Sequence, residues 1–213
     1  MPRNTPLTFG TYADAVTNVE VPPRVDGRKA RAERTRQAIV EAHLALLDEG
    51  DLKPTGERIA QRAGVSLRAL WTNFKDMERL FAAAGERLME RQEAEFRPIS
   101  PALPLPQRIV EFCQQRARLL ELIAPASRAS RLREPFSAQL RRNRNWYIAR
   151  TRDEIDGLFA VELDAAGHGR PELRNAITAA CTSACWSMLR DELRLDPREA
   201  VAVMTRLVRS LLA

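Results

Sequence analysis

Leu67, Arg68 and Ala69 open a short amphipathic segment directly behind Ser66, and of the three only Arg68 can read the polar edge of another molecule. Its planar guanidinium can hold O6 and N7 of guanine through two parallel hydrogen bonds, worth about 1–3 kcal/mol of discrimination against a wrong base. Leu67 and Ala69 could meet only a thymine methyl. Around them Thr55, Ser66, Trp71, Thr72, Asn73 and Lys75 supply hydroxyl, indole, amide and ammonium groups. Such donors suit phosphate oxygens, which position a protein on a duplex without conveying sequence. The chemistry on offer is non-covalent contact with double-stranded DNA.

Positioning those groups requires two short helices and one tight turn. The Thr55 hydroxyl can cap a first helix in which Ile59, Ala60 and Ala63 share a face. Gly64 stands where the chain must reverse, and glycine accepts the positive φ such turns need. Val65 plugs the turn and Ser66 caps the second helix, whose Leu70 and Phe74 point inward one turn apart. Gly56, in the first turn of the first helix, should weaken it. For Trp71 two readings stand: its indole N–H on a phosphate, or its ring packed against the preceding helix.

Ile59-Ala60-x-x-Ala63-Gly64-Val65-Ser66, then Leu70-Trp71-x-Asn73-Phe74, resembles the TetR family of bacterial transcriptional regulators, whose usual pattern is I-A-x-x-A-G-V-S-x-x-x-L-Y-x-H-F. The resemblance runs from Arg31 to Arg97 in motif detail and through the remainder only as a helical body of similar length. Four positions depart from it. Trp71 replaces a phosphate-contacting tyrosine, Asn73 a histidine, and Gly56 a β-branched residue. Met77 replaces a lysine that opens the fourth helix, with Lys75 as a substitute two residues earlier. The resemblance implies a homodimer joined through its last two helices, a near-palindromic operator, and a small-molecule effector among the body helices that releases a repressor from DNA. The alternative is a helical ligand- or partner-binding protein that has lost specific DNA binding, for which Met77 and the acidic pair Asp76 and Glu78 speak.

Composition agrees with a helical, DNA-facing protein and excludes several classes. The chain has 213 residues, 45% hydrophobic and 29% charged, with a formal net charge of +6, which favours anionic partners. There is no apolar run of about 18 residues and no basic segment leading into an apolar core at the N-terminus, so a cytoplasmic location without a membrane anchor is expected. Cys113, Cys181 and Cys185 read as free thiols, and His43 and His168 have no ligand partners at metal-binding spacing. No Gly-rich phosphate loop, nucleophile elbow or metal motif occurs, so neither an enzyme nor a cofactor or metal is expected.

Along the chain the expected fold class is all-α with about nine helices: an N-terminal helix-turn-helix DNA-binding domain, then a helical ligand-binding and dimerisation domain. Residues 1–27 read as a flexible arm, ending in a basic run (Arg24, Arg28, Lys29, Arg31, Arg34, Arg36) that could reach phosphates. Residues 28–75 form the DNA-binding domain, its first helix Ala30–Glu49 burying Ile39, His43, Leu46 and Leu47. Residues 76–97 form a connecting helix capped by Asp76, and 98–106 a Pro-rich linker. The effector-binding and dimerisation domain, 107–213, is read as helices Gln107–Ile123, Pro135–Phe159, Pro171–Leu193 and Pro197–Leu212, with a basic connector at Ser127–Arg133 and a break at Gly167-His168-Gly169.

Two features of that body bear on function. Arg116 interrupts an apolar stripe shared with Phe112 and Leu119. A buried unpaired guanidinium is very costly, so it must meet a protein carboxylate, reach solvent, or await an anionic ligand. Asn143, Arg150 and Thr151 interrupt the stripe of Phe136, Leu140, Tyr147 and Leu158, with Trp146 and Trp186 as candidate aromatic walls. The expected effector site (Phe112, Arg116, Asn143, Trp146, Tyr147, Arg150, Trp186) is therefore apolar with one or two cationic contacts. The wide apolar face of the last helix (Val201, Met204, Leu207, Val208, Leu211, Leu212) exceeds what one small bundle needs, and the small residues Ala176, Ala179, Ala180 and Ala184 permit close helix approach.

Overall fold

A computed structural model describes residues 27–213. The N-terminal arm, Gly27 apart, lies outside the described residues. Every regular element among those residues is helical, ten α-helices in all, and they begin where local chemistry caps them. α1 (Gly27–Asp48) buries Ile39, His43, Leu46 and Leu47 on one side and stops at Gly50, whose φ of +90° reverses the chain. α2 (Gly56–Arg62) is capped by Thr55, whose hydroxyl accepts from Arg58 N at 3.3 Å. Gly64, at φ +67°, turns the chain and lets Val65 N donate back to Ala60 O. α3 (Leu67–Phe74) then starts on Ser66, whose Oγ accepts from Ala69 N at 3.1 Å. α4 (Met77–Glu95) starts on Asp76, whose carboxylate accepts from Arg79 N at 2.8 Å. The half-buried Glu41 of α1 bridges to Arg87 and Arg91 of α4, tying head to connecting helix.

The body departs from the expected segmentation in three places. α5 runs unbroken from Leu105 to Arg133, through Pro125. The expected connector at Ser127–Arg133 is thus the end of this helix. Pro125 removes one backbone donor, but buried Leu120, Ile123 and Ala129 continue the apolar stripe on both sides of it. The linker correspondingly ends at Pro104, with Pro106 in the first turn of α5, where a missing N–H is harmless. α6 (Ala138–Leu158) begins at a Ser137 cap, after a 3₁₀ turn at Glu134–Phe136. Phe136 therefore falls outside the helical period and is 91% exposed, not part of the inward stripe.

The third correction concerns the expected helix Pro171–Leu193. It is three pieces: α8 (Arg170–Ala180), α9 (Ser183–Ser187) and a π-helical turn at Met188–Glu192. Thr182 makes the break, because its hydroxyl donates to Ala179 O at 3.0 Å and accepts from Cys185 N at 3.3 Å. A side chain that bonds the local backbone this way competes with the helix. Before α8 an additional short helix, α7 (Ala160–Ala165), and a 3₁₀ turn at Gly167–Gly169 fill the region of the expected break. The last helix, α10 (Pro197–Leu211), opens on a capping box between Asp196 and Glu199.

One buried apolar cluster extends from Ile39, Leu70 and Phe74 in the head to Phe112, Ile155, Met204 and Val208 in the body. Polar clamps finish the framework. Arg108 is buried, pairs with Glu162 at 2.5 Å, and donates to the carbonyls of Leu103 and Leu158. It pins the linker and the end of α6 to α5.

Candidate functional site

The head presents its expected face. Leu70 and Phe74 are fully buried, while Arg68 and Thr72 are exposed, Leu67 is 39% exposed and Ala69 is half-buried. Arg68 has no side-chain partner among the described residues, so its guanidinium is available. Thr55 and Ser66 use their hydroxyl oxygens as cap acceptors, which leaves each O–H able to donate outward. Thr72 and Asn73 are instead turned back on α3, donating to the carbonyls of Arg68 and Ala69, each at 2.8 Å. A phosphate would have to displace the Thr72 bond, whereas Asn73 keeps a second amide N–H to donate. Lys75 is exposed, at φ +51°. Met77, half-buried, packs against the core and does not face outward as the lysine it replaces would.

Trp71 is half-buried against the core cluster. Its ring lies so near Gly56 that a Cβ there would stand 2.6 Å from Trp71 Cζ2. The absent side chain of Gly56 is the space this indole occupies. The C-terminus of α3 is held from α1 by Arg36, which donates to Asn73 O at 3.3 Å and lies 4.3 Å over the Phe74 ring.

A second site lies in the body, where α1, α4, α5, α6 and the α8–α9 junction enclose a cavity of about 360 Å³. That volume is within the range of small-molecule sites, which combine apolar walls with a few placed polar groups. Leu44, Leu47, Phe81, Leu88, Leu120 and Ile123 supply much of the apolar wall. Arg116 enters it with its Nη1 3.7 Å from Glu154 Oε2 and its Nε–H without a partner. Burial raises the Glu154 carboxyl above the usual carboxylate range, opposed by Arg116 and by a hydrogen bond from Gln115. Burial, aided by the Arg133 charge, lowers His43 to about 4, so its imidazole is neutral at pH 7, and its Nδ1 has no partner. The Tyr147 hydroxyl is likewise unpartnered and pushed up by burial.

Solved structures include one of similar shape. A transcriptional regulator from Rhodococcus sp. Rha1 superimposes with a TM-score of 0.63 at 16% identity, over 85% of this chain and 95% of that one. The two chains share a fold. No protein-family model and no curated protein matches the chain.

Of the residues expected to meet an effector, the fold brings Arg116, Asn143 and Tyr147 to the cavity wall and places the other four off it. Phe112 is buried edge-on against Phe159, ring centroids 5.3 Å apart. Trp146 is 37% exposed, its ring edge-on to that of Tyr147 with centroids 5.2 Å apart. Arg150 pairs with Glu93 at 2.9 Å and lies over Phe96. Trp186 is buried, with its N–H donating to Glu121 at 3.0 Å. His43, Ser130, Arg131, Glu134, Arg144 and Thr178 also line the wall, unanticipated. A neutral-range titrating residue on an otherwise apolar stripe of α1 was the available signal for His43. Arg131 was hidden by the misread connector.

Asn143 also couples the cavity to α4, donating to Phe81 O at 3.1 Å. A Cβ on Gly85 would fall 2.5 Å from its amide nitrogen, so Gly85 is the gap that admits it. Burial disfavours the thiolate at all three cysteines, raising Cys113 to about 11, Cys181 further, and Cys185 as well. Among the described residues, no group of three or more His, Cys, Asp or Glu side chains could hold a metal, and no helix is long and apolar enough to cross a membrane.

Proposed function

We propose that this chain is a DNA-binding transcriptional regulator of the TetR type, a homodimeric repressor whose hold on a near-palindromic operator is released by a small molecule in the body cavity. The observation that carries the reading is α3. It is a Ser66-capped helix of eight residues with Leu70 and Phe74 sunk in the head core and unpartnered Arg68 on the free face. A helix so mounted can enter a major groove with its N-terminal residues at base edges. In this reading Arg68 contacts guanine and Leu67 and Ala69 pack beside it. Thr55, Ser66, Trp71, Thr72, Asn73 and Lys75 hold the DNA backbone, Trp71 through the N–H of an indole that abuts Gly56.

Residues 28–75 act as the DNA-binding unit, 76–97 as the connection, and 107–213 as the sensing and dimerising unit. Support for the dimer is the outer face of α10, where Val203, Leu207 and Leu211 recur every fourth residue at 36%, 42% and 36% exposure. An apolar stripe of this kind on a charged helix fits a second copy. Two-fold pairing would set two recognition helices about 34–36 Å apart, one DNA turn.

Against DNA binding stand Asp76 and Glu78 beside Lys75, acidic groups that repel phosphate, and they favour the second reading, a helical ligand- or partner-binding protein. Selection of bound sequences from random duplexes separates the two. The regulator predicts an enriched sequence with two-fold symmetry, and the alternative predicts no enrichment.

A further inference from the structure

We infer that the body cavity takes a monoanionic amphiphile: a single carboxylate on an apolar body. The inference rests on the cavity being a ligand site, as proposed above, and adds the charge and shape of what enters it.

Charge comes first. The wall carries the cations Arg116, Arg131 and Arg144 and the anion Glu134, with Glu154 close behind Arg116. Arg144 is matched by Glu134 at 2.5 Å, and Arg116 faces Glu154 at 3.7 Å. Arg131 has no acidic partner among the described residues. His43 contributes no charge at neutral pH. Three cations against two carboxylates leave the wall one positive charge in excess, which one ligand anion would balance.

Hydrogen bonding points the same way. Arg116 is 6% exposed, yet its Nε–H lacks an acceptor. Tyr147 Oη and the 4%-exposed His43 Nδ1 are also unpartnered on this wall. The remaining buried unpartnered atoms, in Asp51, Arg152, Asp156 and Arg174, lie off this wall. A buried donor without an acceptor is destabilising until one arrives. A carboxylate offers about four lone-pair sites and can serve Arg116 and the Tyr147 hydroxyl together. A cationic ligand would leave Arg116 unmet and add like charge. An alcohol could meet the donors but not the excess charge. The aliphatic part of the wall, including Leu44, Leu88, Leu140 and Ile148, sets the apolar body.

Isothermal titration of the purified full chain at pH 7.5 with decanoate, decanol and decyltrimethylammonium holds the body constant while the head charge changes. Decanoate should bind at least roughly tenfold tighter than decanol, with the cation weakest. Arg131→Gln, an exposed change that leaves the core intact, should bring decanoate towards the affinity of decanol while leaving decanol unchanged, and Arg116→Gln should weaken decanoate more than decanol. The inference is overturned if decanol or the cation binds as well as decanoate, or if the preference survives both substitutions. Those outcomes would leave the cavity standing as a ligand site. Failure of all three compounds to bind would overturn the inference and the proposed effector site together.

Discussion

Gly56 of α2 lies directly beneath the indole of Trp71 in α3, and a single methyl at position 56 would stand 2.6 Å from Trp71 Cζ2. A large aromatic in α3 is thus answered by a missing side chain in α2, the helix that supports it. Gly56→Ala should lose about 1–2 kcal/mol of stability to this overlap, although alanine is the better helix former by about 0.5–1 kcal/mol. In a Trp71→Phe background the same substitution should become neutral or stabilising, so urea melts of the four proteins would show strong non-additivity. Additive effects would mean the two residues do not share the space.

Arg36 should steady α3 from α1. Removing it by Arg36→Ala deletes the contact over Phe74 and the bond to Asn73 O, a loss of about 0.5–1 kcal/mol of stability. Hydrogen exchange should then speed up at the C-terminal turn of α3 and leave α10 unaltered. Unchanged exchange in α3 would show that the guanidinium holds nothing in place.

These helices were legible because their signals are local. Caps at Thr55, Ser66 and Asp76, and the inward pairs such as Leu70 with Phe74, need only neighbours within one turn. The body misled where a local signal was outvoted by packing. A proline with polar residues after it reads as a helix end, yet Leu120, Ile123 and Ala129 keep α5 intact past Pro125. The reverse occurred at Thr182, whose hydroxyl breaks a helix that periodicity alone would continue. Aromatic residues were poor guides to the cavity: Trp186 and Phe112 face the core, while Arg116 and Asn143, conspicuous as polar residues on apolar stripes, do face it. Gly56 and Gly85 could not be understood singly, because each is explained by a residue distant in the chain.

His43 makes stability pH-dependent. Its folded-state value, about 4, lies below the ordinary 6.5, so between these values the unfolded chain binds a proton that the folded chain refuses. Stability is therefore whole above about pH 6.5 and is lost as pH falls towards 4. Glu154, raised by burial, acts in the opposite sense, binding its proton more tightly when folded. The contribution of His43 is isolated by comparison with His43→Gln, whose melting temperature should fall less, by roughly several degrees, across this window. Parallel curves for the two proteins would contradict the assignment.

Leu207 lies at the centre of the exposed stripe on α10. Leu207→Glu should convert a dimer to a monomer of unchanged helix content, seen by sedimentation velocity and circular dichroism. The loss of one half-site contact should then weaken operator binding by at least about a hundredfold. A wild-type chain that sediments as a monomer would contradict the pairing outright.

The central claim, that the free face of α3 reads bases, is tested most directly through Arg68. Affinities of the wild-type chain and Arg68→Ala would be measured by fluorescence anisotropy at one fixed salt concentration, on the selected duplex and on a scrambled one. The account predicts that wild type prefers the selected duplex by about a thousandfold or more. Arg68→Ala should bind that duplex roughly 5- to 150-fold more weakly, with a far smaller change on the scrambled duplex. Equal affinity of the wild type for both duplexes, or equal losses on both from Arg68→Ala, would contradict it.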